Sequence, residues 1–310
     1  MCYELAETDA AKSKATTQEK NMLVLFTDTD TDMTPQLAEH YGYKLISMPY
    51  VIDGVTVRPY VDFDTFDAHA FYDKLRAGTL PQTCAISPDD YVQYFEPYFK
   101  NGDDILYVHF SEAMSGTFNA MKLAVDSLSH SYPDTKFYTI DTKGITTLSF
   151  NIVCEVGDMY LAGKTAEEMV EWAKTEVDKF AIYFYADDLK FFRRSGRVTN
   201  LAATMGNLFG VHPVLNMGSD GMMHTHSKAN GRMKTLKRIV GYVEELADDI
   251  KGHRVCIGHT DARDIAETLA GLLREKFGDD LNIIIEDVNP TAGSHCGPDA
   301  VGVCFHAIHR

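Results

Sequence analysis

The sequence predicts an α/β protein of two α/β domains. The first has a mainly parallel sheet with helices, and the second a mixed or antiparallel sheet with helices. Three observations predict this. Short apolar runs alternate with helix-spaced patterns through the first half of the 310 residues, as in strands joined by crossover helices. Thr165-Ala166-Glu167-Glu168 is a capping box that opens a second series of helices and strands. Within that series Asp220-Gly221 separates two apolar runs, a hairpin signal that brings antiparallel pairing. Hydrophobic residues make up 45% and charged residues 24%, enough apolar material to bury a core.

Taken in order, residues 1–21 are polar and of mixed charge, without the apolar core of a signal peptide. They read as a flexible N-terminal extension. The N-terminal domain is placed at 22–163 and the C-terminal domain at 164–310, with a ligand site between the two. Leu23–Phe26 reads as a strand ending in the polar run Thr27–Asp32. Thr34-Pro35 then gives an N-cap and a proline at the first helical position. Lys44–Ile52 is strand-like, and Phe66, His69, Tyr72 and Leu75 recur at helical spacing. Ser87-Pro88 repeats the cap-then-proline signal. Ile105–Phe110 and Phe137–Ile140 read as strands, each followed by a helical pattern, the second carrying Leu148, Ile152, Val156 and Met159. Beyond Gly163 the expected strands are Phe180–Tyr185, Val211–Met217, Met222–Ser227, Arg254–Gly258 and Leu281–Val288. Helical patterns fall around Leu236–Leu246 and Ile265–Phe277, and a final helix is expected after Pro298.

The charge balance excludes one class of partner. With 29 Lys+Arg against 45 Asp+Glu the formal net charge is −16, which argues against nucleic acid, since phosphate contacts need clustered cations. The longest apolar runs are far too short to span a bilayer, so stable membrane insertion is not expected. Six cysteines are scattered with no CxxC pair, and Cys154, Cys256 and Cys304 lie inside apolar runs. Buried reduced thiols and a cytoplasmic location follow as expectations.

Several constellations carry chemistry. Asp28-Thr29-Asp30-Thr31 at a strand end resembles the motif of haloacid-dehalogenase-type phosphatases, with Asp28 as nucleophile, Asp30 as acid/base and Mg²⁺ as cofactor. Ser111 and Asp187-Asp188 stand in for its later motifs. Ser115-Gly116-Thr117, where a strand turns into a helix, offers hydroxyl and backbone donors at a positive helix end, which is an anion site. Its plainer reading is helix capping by Ser115. Thr83 lies in a loop between two helical patterns. His295, on a turn, has the chemistry to donate to an anion. Arg193-Arg194-Ser195-Gly196-Arg197 is a basic cluster in an acidic chain. His224 and His226 have no nearby carboxylate or cysteine set in the sequence, and no metal site is read.

The order of these segments resembles the DegV family, which includes the FakB-type fatty-acid-binding subunits of bacterial fatty acid kinases. Thr27-Asp28-Thr29 stands in place of the family's Thr-Asp-Ser loop. Thr83-Cys84-Ala85-Ile86-Ser87 loosely matches Thr-Ser-Gln-Pro-Ser, and Met114-Ser115-Gly116-Thr117 matches Leu-Ser-Gly-Thr. Ser195-Gly196-Arg197 matches the Gly-Gly-Arg loop, Asp220-Gly221 the hairpin, and His295-Cys296-Gly297-Pro298 the His-x-Gly-Pro turn. Departures stand at Thr29, His212, Asn230 and Asp299, where Ser, Lys, Arg and Gly are usual.

The resemblance implies a non-enzymatic carrier of a long-chain fatty acid, with no cofactor. It places the carboxylate at Thr83, Ser115 and His295, with Arg197, Thr27, Asp28, Gly116 and Thr117 in supporting or partner-facing roles. It implies an ATP-dependent fatty acid kinase subunit as partner, which phosphorylates the bound carboxylate. Burying an acyl chain in an apolar tunnel is worth on the order of 10 kcal/mol before ordering costs, so apolar contact dominates affinity and the polar groups set orientation.

Overall fold

A computed structural model describes residues 22–199 and 211–310. The extension expected at 1–21 lies outside them. The fold is mixed α/β, as the sequence predicts. A four-stranded parallel sheet holds β1 (Leu23–Asp28), β2 (Tyr43–Ile46), β6 (Asp104–His109) and β7 (Phe137–Asp141) in the order β2-β1-β6-β7. A three-stranded antiparallel sheet holds β3 (Tyr50–Ile52), β4 (Val55–Val57) and β5 (Gln82–Thr83).

A seven-stranded sheet takes the rest. Its strands are β8 (Phe180–Ala186), β9 (Val198–Thr199), β10 (Val211–Met217), β11 (Met223–Asn230), β12 (Val255–His259), β13 (Ile283–Asp287) and β14 (Ala300–His306), in the order β13-β12-β14-β8-β10-β11-β9. β10 and β11 form the antiparallel hairpin that Asp220-Gly221 announces, with Gly221 at φ +74°.

The helices are α1 (Pro35–Tyr41), α2 (Ala68–Arg76), α3 (Pro88–Asn101), α4 (Thr117–Ser131), α5 (Thr147–Leu161), α6 (Ala166–Glu176), α7 (Lys190–Ser195), α8 (Arg232–Leu246), α9 (Arg263–Phe277) and α10 (Pro290–Cys296). Their starts follow local chemistry. Thr34 caps α1, accepting from Leu37 N, and Ser87 with Asp90 and Thr165 with Glu168 close reciprocal capping boxes on α3 and α6.

Helix α5 organises the interior. It is buried from Thr147 to Cys154 and again at Val156 and Gly157, so it is covered on all sides and lies between two sheets rather than on one. Tyr43 of β2 donates to its Val153 carbonyl at 3.0 Å, and Asn151 Nδ2 donates to the Arg254 carbonyl, before β12, at 3.1 Å. The seven-stranded sheet alternates strictly. Ile182, Cys256 and Cys304 join the core around α5, while Tyr183, Tyr185, Ile257 and Val303 face α8 and α9.

Two expectations need correction. Lys44–Ile52 is not one strand: Ser47 and Met48 give their N–H groups to Tyr94 Oη and Thr29 Oγ1, and Pro49 has none, so the ladder breaks between β2 and β3. The expected final helix after Pro298 is strand β14, buried along its whole length and paired on both sides. The helix precedes it instead, as α10, with Asn289 at its cap and Pro290 at its first position.

The turn Thr29–Thr31, a single 3-10 turn after β1, ties these parts together. Asp28, Asp30 and Asp32 are all buried. Asp32 Oδ1 accepts from the Asn289 backbone N–H and Nδ2 at 2.9 and 2.8 Å. Burial first, then the nearby Glu286 and Asp287, push the Asp32 carboxyl up to about 8. The folded state therefore holds a proton that the unfolded chain releases near pH 4, and wild-type stability declines as pH rises through that window. Asp32→Asn keeps the acceptor for Asn289 and removes the ionisation. Urea unfolding should show this variant gaining on wild type between pH 4 and pH 8, by on the order of 1 kcal/mol per pH unit. A difference independent of pH contradicts the assignment.

Candidate functional site

Three distant segments converge on one polar pocket. β5 carries Thr83, paired with Tyr50 of β3, so Thr83 belongs to a short strand and not to the loop expected from sequence. Ser115 follows the 3-10 turn Glu112–Met114 beyond β6, and α10 carries His295. Thr83, Ser115 and His295 line the same pocket of about 440 Å³, together with Arg197 and the side chains of Met48, Phe110 and Met114. His295 Nε2 lies 3.0 Å from Thr83 Oγ1. Burial, aided by the charges of Arg197 and Arg194, holds the imidazole down to about 4, so the ring is neutral at physiological pH.

The supporting residues divide by what their side chains already do. Ser115 Oγ accepts from Thr117 N at 3.3 Å while Gly116 occupies the α4 cap position, so the serine sits one residue before the cap. Thr117 lines the pocket, but its hydroxyl takes the Ile86 N–H and lies 3.1 Å from Tyr91 Oη, which fastens the segment between β5 and α3. Gly116 is exposed at the N-terminus of α4. Arg197 follows Gly196, which has φ +68°, and its guanidinium donates to the Ser195 carbonyl. Thr27 and Asp28 do not line the pocket and lie wholly buried beneath it.

Asp28 accepts from Tyr107 Oη at 3.0 Å, Phe110 N at 3.3 Å and Asp30 N at 3.0 Å. Burial outweighs these bonds and raises its carboxyl to about 7. Both oxygens are occupied and no surface reaches them, so the arrangement gives no support to Asp28 as a phosphatase nucleophile. Ser111 donates to the Gly221 carbonyl, and Asp187 pairs with Arg232 and His212. Neither joins Asp28.

A second, apolar cavity of about 470 Å³ adjoins the first. It lies where α5 begins, against the inner face of the seven-stranded sheet, lined by Ile182 and Phe184 of β8, Phe192 of α7, and Met217 and Met223 of the hairpin. Ile145 borders both spaces, so they meet at one side chain. Gly258 and Gly302, paired across β12 and β14, form part of the wall of the apolar cavity. A Cβ on Gly258 would fall 1.8 Å from Thr147 Oγ1, and one on Gly302 would fall 2.4 Å from Phe184 Cβ. A glycine inside a strand is the one sequence signal that points to such close approach. Ile145, Met48 and Thr291 give no comparable signal.

Other features lie elsewhere. Among the described residues, His69, Asp73 and Asp261 alone bring three metal-type ligand atoms together, but they line neither pocket and Arg76 already bridges the two carboxylates. His224 has a carboxylate neighbour after all, Asp220 at 2.9 Å across the hairpin. Cys154, Cys256 and Cys304 are buried free thiols, as expected. No helix among the described residues is long and apolar enough to cross a membrane.

Comparison with known proteins places this architecture. A family model described as "Uncharacterised protein, DegV family" matches residues 22–307. A DegV domain-containing protein of Clostridium perfringens is 32% identical over 282 residues, covering 91% of this chain and 96% of the relative. Among solved structures, a fatty-acid-binding DegV family protein from Thermus thermophilus superposes with a TM-score of 0.81 at 20% identity, over 93% of this chain and all of its own. DegV of Bacillus subtilis, a fatty acid binding protein, gives 0.78 at 21% identity, over 92% and 99%. A DegV family protein of Eubacterium eligens, loaded with heptadecanoic acid, gives 0.76 at 18% identity, over 92% and 99%. These structures share the fold, the family match spans nearly the whole described chain, and the chain belongs to the DegV family.

Proposed function

We propose that this protein carries a long-chain fatty acid, with the carboxylate held by Thr83, Ser115 and His295 and the acyl chain in the apolar cavity beyond Ile145. The observation that carries the reading is the adjacency: a pocket lined by hydroxyl and N–H donors shares Ile145 with an apolar space lined by Ile182, Phe184, Phe192, Met217 and Met223. An amphiphile with one small anionic end and a long apolar body has that shape. The ligands named for the Thermus, Bacillus and Eubacterium relatives support the same class.

The polar groups serve orientation. With Nε2 protonated, neutral His295 donates to Thr83 Oγ1 and leaves the threonine proton for the carboxylate. Ser115 Oγ supplies a second donor near the N-terminus of α4, whose dipole favours an anion, and Arg197 adds positive charge. In this reading Thr83, Ser115 and Cys84 serve only as lining groups of the head pocket, and the chain itself performs no chemistry. Cys84, which lines the pocket, is exposed at the surface. There a separate ATP-dependent kinase subunit phosphorylates the bound acid, in the cytoplasm and without a cofactor on this chain.

Native mass spectrometry of the purified protein tests the carrier. It should release one C14–C18 fatty acid per chain on denaturation. Ser115→Ala and Thr83→Val should each weaken oleate binding about tenfold, the loss expected for one hydrogen bond to a charged group, with melting temperature little changed. An empty protein that also refuses added oleate and palmitate overturns the reading. The partner half has its own test: oleate-loaded protein, ATP and a fatty acid kinase subunit should give acyl phosphate, trapped as the hydroxamate. A yield no higher than with the kinase alone removes that half.

A further inference from the structure

Asp30 is the wall of the head pocket that an anionic ligand should avoid. It lines the same pocket as Thr83, Ser115 and His295. Its backbone is fixed at both ends, its N–H on Asp28 Oδ1 and its carbonyl accepting from Thr146 N at 2.8 Å. Its side chain is 6% exposed, and Oδ1 is buried with no hydrogen-bond partner. A buried acceptor left unpaired is costly and points to a missing partner.

The surroundings decide what that partner is. On its own turn Asp30 has Asp28 on one side and Asp32 on the other, and both oppose its ionisation, as does its burial. Tyr91 of α3 and Tyr107 of β6 are neutral phenols, raised further by burial. From α10 come His295, neutral, and the half-buried thiol of Cys296, pushed up to about 12. Cys84 of the β5 segment is exposed. Among the described residues Arg197 is the single cation lining the pocket, and the charge of Arg194 also acts on His295. One guanidinium faces two carboxyls once a fatty acid enters. Two carboxyls sharing a site do not both ionise, and they hold one proton between them.

We propose that Asp30 is a ligand-contacting residue that binds the fatty acid as an acid–carboxylate pair, one proton shared between Asp30 Oδ1 and the ligand oxygen. This rests on the carrier reading and adds to it a dependence on pH. The free protein must carry the proton before the fatty-acid anion docks. Oleate affinity is therefore flat while Asp30 is protonated and falls about tenfold per pH unit once that proton is lost. No bond is made or broken beyond the hydrogen bond.

The test follows oleate binding from about pH 6 to about pH 9.5, below micelle-forming concentrations, with wild type and Asp30→Asn. The amide keeps a donor and cannot titrate. Wild type should lose affinity at the alkaline end, while the affinity of the variant, at whatever level it binds, should not change with pH. Calorimetry of the wild type in two buffers of different ionisation heat gives an independent reading. Proton uptake per oleate should rise from near zero toward one as pH increases, and it needs no folded variant. A flat wild-type profile with no proton uptake, or an unchanged slope in Asp30→Asn, overturns proton sharing and leaves the carrier standing. Absence of oleate binding at every pH overturns both.

Discussion

The residues Thr27–Asp32 are the constraint on which the rest of the site depends. Asp28 closes onto β6 through Tyr107 and Phe110. Thr29 Oγ1 receives the Met48 N–H and turns the chain out of the parallel sheet. The Asp30 carbonyl takes Thr146 N, just ahead of α5, and Asp32 holds Asn289 at the cap of α10. Thr291 of that helix then donates back to the Met48 carbonyl. One short turn thus sets β6, the start of α5 and α10, which are the elements around the head pocket. Three buried carboxyls are the consequence, and hydrogen bonds from backbone and Asn289 offset part of their desolvation.

Helix α5 decides where the apolar space begins. Along its length the inner sheet positions are occupied, Asn151 lying 3.6 Å from Cys304 Sγ. At the start of the helix the sheet positions are Gly258 and Gly302, where Thr147 Oγ1 and Phe184 Cβ already take the places that side chains would need. The cavity lies where that helix starts, and the two glycines allow the close approach of Thr147 and Phe184 in its wall. Ile145, two residues before that start, lines both the polar and the apolar space.

What the sequence made legible was local. The caps at Thr34, Ser87 and Thr165 and the Asp220-Gly221 turn depend on neighbours a few residues away, and each is found as read. β14 was misread as a helix because its pairing partners, β8 and β12, lie far away in sequence and supply no local period. Thr83, Ser115 and His295 are individually ordinary residues. Only the order of motifs shared with the DegV family singled them out, and the fold brings them to one pocket through β3–β5 pairing, the end of β6, and α10. Asp30 was read as half of a phosphatase motif, since spacing alone shows neither that Asp28 is sealed off nor that Asp30 faces the pocket.

The central claim is that a single ligand runs from the Thr83–His295 pair past Ile145 into the space between the sheets. A crystal structure with palmitic acid brominated at its terminal carbon tests this most directly, because anomalous scattering locates the tail without interpretation of weak density. The account predicts a bromine peak against Phe184 and Gly302, with the carboxylate within hydrogen-bond reach of Thr83 and Ser115. A peak at the protein surface, or a carboxylate lodged between the sheets with the bromine at His295, would contradict it.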